Sequence, residues 1–284
     1  MEFELRTVDV QIIAEAVRDA ALDVNRSLSE GHAEMLRAAI SRETSPLSRQ
    51  ILERIVENVA EAETTGLPSC QDTGTAVVFI DLGQDVALIG GDLEKVINSA
   101  VAEAYDKGQL RKSMRDPLTG ANTGDNTPAV IHARIVSGDK ITVSFMAKGG
   151  GCENVSKLAM LRPADGEDGI VEFVVQTLKD AGGATCPPVT LGIGLGGNFE
   201  EVALLAKRAL LRHPAGTPAV REDVAALERR ILQEVNATGI GPMGMGGDVT
   251  ALAVHIDIAP AHIASLPIAV NIDCHAHRCH TVVI

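Results

Sequence analysis

Aromatic rings are almost absent from this chain. Its 284 residues include five Phe, one Tyr (Tyr105) and no Trp, although 45% of them are hydrophobic. Any core must therefore be built from Ala, Val, Leu and Ile. A chain of this length buries about 75% of its unfolded surface, so a core of that kind needs no covalent staples. So few rings also argue against a base-stacking nucleic-acid surface. The net charge of −13 argues against phosphate backbones and anionic bilayers as partners. No apolar run approaches the ~18 residues of a membrane span. Met1-Glu-Phe-Glu-Leu-Arg6 lacks the basic and apolar regions of a secretory leader. Five Cys without disulfide-like spacing fit a reducing, cytoplasmic setting.

The aliphatic residues fall into two periods. In the first 65 residues the spacing is helical. Ser27-x-x-Glu30 fits a capping box ahead of Ala33, Leu36, Ala39 and Ile40. Ser45-Pro46 opens a helix with Leu47, Ile51, Leu52, Ile55, Val56 and Val59 on one face, ended by Gly66. Thr75-Ala-Val-Val-Phe-Ile80 then reads as a buried strand, and Asp92 caps a helix that closes near Gly108. Residues 129–147 predict a hairpin turning at Ser137-Gly-Asp139. Beyond it the pattern predicts helices over 167–180, 199–212 and 221–237, and strands over 188–195, 249–257 and 267–272. The fold class expected is α/β, in the mixed α+β sense: a helical N-terminal segment followed by mixed β-sheets surrounded by helices. Without a convincing linker, residues 1–284 read as a single domain, with 1–66 a helical cap and 67–284 the body.

Three cysteines stand out because each lies in a turn-forming setting, far from the others in sequence. They are Cys70 in Leu67-Pro-Ser-Cys-Gln-Asp-Thr-Gly74, Cys186 in Gly182-Gly-Ala-Thr-Cys-Pro-Pro188, and Cys274 in Asn271-Ile-Asp-Cys-His-Ala-His-Arg278. Three thiolates can hold three irons of a cubane cluster and leave the fourth open. The plain alternative is buried free thiols. Gln71 and Asp72 could bond a substrate hydroxyl or carboxylate. Lys148-Gly-Gly-Gly-Cys152 follows a strand and offers backbone N–H groups to an anion, with Cys152 either a ligand or a packed spectator. Arg111 could clamp a carboxylate or simply lie on the surface. Gly192-Ile-Gly-Leu-Gly-Gly197 matches the dinucleotide fingerprint in letters, but no acid-ended second strand follows it. The glycines read better as permitting close packing near Cys186. Cys274-His-Ala-His-Arg-Cys279-His280 could suggest zinc, yet no paired ligands stand elsewhere, and Cys279 and His280 read as tail residues. His262 is either structural or catalytic.

Taken in order, Ser69-Cys-Gln-Asp-Thr-Gly74, Leu110-Arg111, Asn122-Thr-Gly124, Lys148-Gly-Gly-Gly151, Cys186-Pro-Pro188, His262 and Cys274-His-Ala276 resemble the α subunit of class I, iron–sulfur-dependent fumarate hydratase. The resemblance covers nearly the whole chain after about residue 45. It implies a 4Fe-4S cluster held by Cys70, Cys186 and Cys274. It also implies substrate contacts from Gln71, Asp72, Arg111, the Gly151 backbone and His262, with Asp72 and His262 the catalytic candidates. It further implies a small dicarboxylate substrate and a β subunit carrying the rest of the site and most of its positive charge, in an α2β2 assembly. L-tartrate dehydratase α subunit shares the cysteine framework and is the nearest alternative. A non-catalytic iron–sulfur scaffold or sensor, with Cys152 or Cys279 as a fourth ligand, is the alternative outside enzymes.

Overall fold

A computed structural model describes residues 5–284. In chain order the elements are β1 (Arg6–Asp9), α1 (Val10–Asp23), α2 (Glu30–Arg42), α3 (Pro46–Thr65), β2 (Thr75–Gly83), β3 (Val86–Ile89), α4 (Leu93–Lys107), β4 (Val130–Val136), β5 (Ile141–Lys148), α5 (Gly150–Asn154), β6 (Lys157–Leu161), α6 (Gly166–Ala181), β7 (Val189–Gly196), α7 (Phe199–Ala209), α8 (Glu222–Asn236), β8 (Ala251–Ala259), β9 (Leu266–Asp273) and β10 (Cys279–Val283). This is the mixed α/β class expected. The chain divides into two compact units. The first comprises residues 1–29, 59–150 and 278–284, and the second residues 30–58 and 151–277. The helices of the N-terminal segment divide likewise. α1 belongs to the first unit and α2 to the second, while α3 begins in the second and ends in the first.

The first unit is built on a four-stranded sheet in the order β10-β5-β2-β4. β2 lies inside it because most of Thr75–Gly83 is apolar and buried. α1 packs on α4 and β5, and Ile13, Val17, Ile97, Val101, Tyr105, Val78, Ile80 and Phe145 form one core. The Asp92 side chain caps α4 by accepting from the Lys95 N–H at 3.1 Å, and Gly108 ends the helix, both as expected. Gly66, at φ +71°, follows the end of α3.

Residues 129–147 do not form the predicted hairpin. β4 and β5 both pair with β2, one parallel and the other antiparallel. The cause lies at the end of β2. The Gly83 N–H donates to the Lys140 carbonyl, and Gln84 and Asp85 donate to Val136 and Gly138, so residues 137–140 arch over the β2 terminus. A Cβ at Gly83 would stand 2.4 Å from the Gly138 carbonyl oxygen. Only glycine lets the arch close, and the long apolar β2 then fills the space between its arms. The tail expected at Cys279 and His280 is strand β10, paired antiparallel to β5. Ser27 Oγ turns back to Asp23 in α1, while the Glu30 side chain, the other half of the expected capping box, lies outside the described residues.

The second unit carries the sheet β6-β9-β7-β8. β7 is buried at every position. It runs parallel to β8 and antiparallel to β9. α7 packs on β7 and β9, and α8 on β8 and α6. Gly192 and Gly194 of the dinucleotide-like run are strand residues facing α7. A Cβ at Gly192 would sit 2.1 Å from the Ala206 carbonyl oxygen, and one at Gly194 equally close to that of Val202. They do permit close packing, but against α7 rather than near Cys186. The run forms no loop for a pyrophosphate.

Candidate metal centre

In the first unit, the Cys70 loop is held at four points. The Ser69 N–H donates to the Asn25 carbonyl. Thr73 Oγ1 donates to the Arg111 carbonyl at 2.9 Å. Asp72 spends one carboxylate oxygen on the Gly74 N–H at 3.1 Å and the other on the Gly150 N–H at 2.8 Å. Buried Arg278 donates to the Asp72 carbonyl and to Asn25 Oδ1. The two segments read separately in the sequence, Cys70-Gln-Asp-Thr-Gly74 and Lys148-Gly-Gly-Gly151, are thus joined through one carboxylate. Cys70 is half-buried, and Gln71 and Arg111 are exposed. A Cβ at Gly149 would meet both Arg278 and Asp72 at 3.4 Å, ordinary van der Waals contact. Behind the loop, burial pushes the Tyr105 hydroxyl upward in pKa. It stays a neutral donor to the Thr73 and Gly74 carbonyls at 2.7 and 3.0 Å.

In the second unit, Cys186 precedes β7 and Cys274 follows β9. These strands are antiparallel, with Thr190 opposite Asp273, so both cysteines sit at one end of the sheet. Their loops are tied directly. The Cys186 carbonyl accepts from His275 Nδ1 at 2.9 Å and from the His275 N–H at 3.4 Å. Cys186 adopts the left-handed conformation, φ 51° and ψ 62°, which costs a non-glycine residue on the order of 1 kcal/mol and persists only where neighbours enforce it. One enforcing neighbour is Cys152. It lies in the core, with its Sγ donating to the Thr185 carbonyl at 3.3 Å. Gly151, at the start of this unit, has the Ala184 carbonyl 3.2 Å from where a Cβ would stand.

His262 is placed elsewhere. It lies between β8 and β9, at the end of β9 opposite Cys274, and eight extended residues separate them by about 25 Å. It is exposed, its Nδ1 accepts from the Ala264 N–H at 3.1 Å, and it lines a cleft of about 520 Å³ with Glu167, Arg221 and Ile258. Within this unit His262 is therefore not grouped with Cys186 and Cys274.

Sequence reasoning missed three contributors. Arg278 reads as one more residue of a polar cluster, yet it is buried beneath the Cys70 loop. His32, on α2, is buried and its Nε2 bonds the His275 carbonyl at 2.7 Å. The glycine-rich stretch 239–247 packs on the Cys186 loop. The Met243 N–H donates to the Pro187 carbonyl, and a Cβ at Gly244 would lie 2.5 Å from Gly183 Cα. Buried Glu43 anchors that stretch by accepting from the Ser45, Asp248 and Val249 N–H groups at 2.9–3.1 Å. The repeated glycines at positive φ were the available signal.

Three cysteines in backbone-held loops, rather than a nucleotide loop or a paired zinc framework, are the chemistry-bearing groups of this site. The chain belongs to the fumarate hydratase (Fumerase) family, whose model matches residues 14–283. It is 39% identical, over 94% of either chain, to a Methanocaldococcus jannaschii protein provisionally named L(+)-tartrate dehydratase subunit alpha. It is 30% identical to the L(+)-tartrate dehydratase subunit alpha of Escherichia coli K12, over 97% of this chain and 91% of that one. The corresponding protein of Escherichia coli UTI89 is 31% identical over 95% and 89%. The chain is thus an α subunit of the hydro-lyase type. Among the described residues no helix is long and apolar enough to cross a membrane.

Proposed function

We propose that residues 1–284 act as one cytoplasmic hydro-lyase α domain that interconverts fumarate and (S)-malate, with a 4Fe-4S cluster held by Cys70, Cys186 and Cys274. The observation that carries this reading is the state of these three residues. Each is a half-buried thiol in a non-repetitive loop, and two of the loops are bonded to each other at one end of a sheet. Soft thiolates of this kind suit iron–sulfur clusters. When bound, the cluster supplies a Lewis-acidic iron that polarises the C–O bond of a hydroxy acid. The chain's own residues then have defined tasks. Gln71 and Arg111 orient the diacid, the guanidinium by paired hydrogen bonds to a carboxylate. The Gly151 backbone N–H offers a further donor. Asp72 keeps lone pairs beyond its two backbone bonds and can hold a water proton. His262, at the far end of β9 from Cys274, can serve that proton only where a second copy of the chain brings it to the site in an α2β2 assembly.

The chain's charge of −13 suits a partner that brings cationic groups to the dianionic substrate. A β subunit in an α2β2 assembly fills that role; the relatives' names as α subunits support the β partner. Those same names favour a second reading, dehydration of L-tartrate, which differs from malate by one hydroxyl. The test is electron paramagnetic resonance of the anaerobically purified chain before and after mild oxidation. A 3Fe-4S signal that appears on oxidation supports an iron without a protein ligand. Turnover of fumarate against L-tartrate with the partner then separates the two readings. A chain that takes up no iron overturns the proposal. A cluster that never releases iron would favour a scaffold or sensor instead.

A further inference from the structure

The chain places a histidine pair directly behind two of its cysteines, and the hydration chemistry proposed above makes no use of it. His275 follows Cys274 in sequence, and its side chain bonds the Cys186 carbonyl. His32 in turn bonds the His275 carbonyl. The Cys274 loop is closed on itself by His277, whose N–H donates to the Cys274 carbonyl and whose Nδ1 lies 3.0 Å from Asp273. The His32 and His277 rings face each other at 5.0 Å. We infer that His275 and His32 are positioning residues that fix the separation of the Cys186 and Cys274 loops before any metal arrives. This rests on the ligand set proposed above.

The atoms involved make the inference specific. A carbonyl oxygen only accepts, so the imidazole nitrogen facing it must carry the proton. His275 is therefore the Nδ1–H tautomer as the Cys186 carbonyl meets it, and His32 the Nε2–H tautomer. His32 is fully buried with no hydrogen-bond partner on Nδ1. That favours the neutral ring, and burial accordingly pushes its pKa down to about 3. The two histidines are thus fixed donors at different ring positions. They hold a cysteine whose left-handed backbone needs enforcement.

Asn places an amide nitrogen where histidine has Nδ1, and Gln places one near Nε2. The inference therefore predicts opposite rescue patterns at the two sites. In the full chain reconstituted anaerobically, iron loss to a chelator is followed by the growth of the 3Fe-4S signal. His275→Asn should lose iron within about twofold of the wild-type rate and His275→Gln about tenfold faster, the usual consequence of removing a residue that orients a metal ligand. At position 32 the order reverses, with His32→Gln close to wild type and His32→Asn fast. Amide hydrogen exchange of the cluster-free chain over residues 183–187 and 274–277 should follow the same two orders. Equal behaviour of Asn and Gln at both sites, in iron loss and in exchange, overturns the inference. A wild-type chain that takes up no iron removes the ligand proposal instead, and the exchange pattern alone then decides the positioning role.

Discussion

Acidification should weaken the second unit well above the pH at which carboxylates titrate. The cause is two buried histidines. His32 and His255 are fully buried, and each is pushed down to about 3, by burial first and then by a neighbour, His277 for His32 and Arg212 for His255. In the unfolded chain each returns to about 6.5. Because the folded value is the lower one, the unfolded state binds more protons between these limits. The stabilising contribution is complete above about pH 6.5 and is lost as the pH falls toward 3. From pH 7 to about pH 5.5 the loss is about 1 kcal/mol for each histidine and about 2 kcal/mol for both, a substantial part of a typical total of about 5–15 kcal/mol. The structure shows why neither can accept a proton in place. Protonating His255 Nε2 would break the bond it accepts from the Gly216 N–H at 3.0 Å. A proton on His32 Nδ1 would enter a buried position with no hydrogen-bond partner. Urea unfolding followed by circular dichroism at the two pH values, at constant ionic strength, reads the effect. His255→Gln should lose about half as much stability as wild type over the same interval. An identical loss in both proteins, or a loss below about 0.5 kcal/mol in wild type, would refute the reasoning.

Three further outcomes can be checked. Gly194→Ala should lower stability by about 1–3 kcal/mol, because its methyl would stand 2.1 Å from a backbone oxygen of α7 and the helix must move; an unchanged melting temperature would contradict the packing described. Glu43→Gln should cost about 2–3 kcal/mol and speed amide exchange at Asp248 and Val249, whose N–H groups the carboxylate accepts; unchanged exchange there would show that the glycine-rich stretch is anchored by other contacts. Cys152→Ala and Cys279→Ala should each keep the iron content of the wild type, since one thiol is a core residue and the other stands on strand β10; loss of iron in either would disprove the three-cysteine ligand set.

Local signals in the sequence translated well into structure. Asp92 and Gly108 bound α4 as capping chemistry requires, and Gly66 follows the end of α3. The segments of Cys70 and Cys186 are loops, as proline and glycine predicted, and Cys274 lies in a loop as well. What failed was pairing at long range. The Ser137-Gly-Asp139 turn looks like a hairpin locally, and nothing nearby reveals that β2, more than 50 residues earlier, enters between its arms. β10 was missed because a strand of Cys-His-Thr-Val-Val shows little alternation until β5 stands beside it. Arg278 and His32 were illegible for the same reason. Their burial depends on residues distant in sequence, and composition alone treats a lone Arg or His as surface. The placement of His262 follows from strand direction, which spacing in the sequence does not encode.

The sheet order of the first unit has a consequence for how the molecule is made. β5 pairs on one side with β2 and on the other with β10, and the paired residues Ser144 and Thr281 are 137 positions apart. Most of the second unit, residues 151–277, is synthesised between them. During synthesis β5 therefore presents an open edge throughout that interval, while the parts of the second unit become available one after another. An unpaired apolar edge is a template for joining a foreign strand. Slow translation or thermal stress should thus damage this protein first as a nascent chain, through the waiting edge of β5.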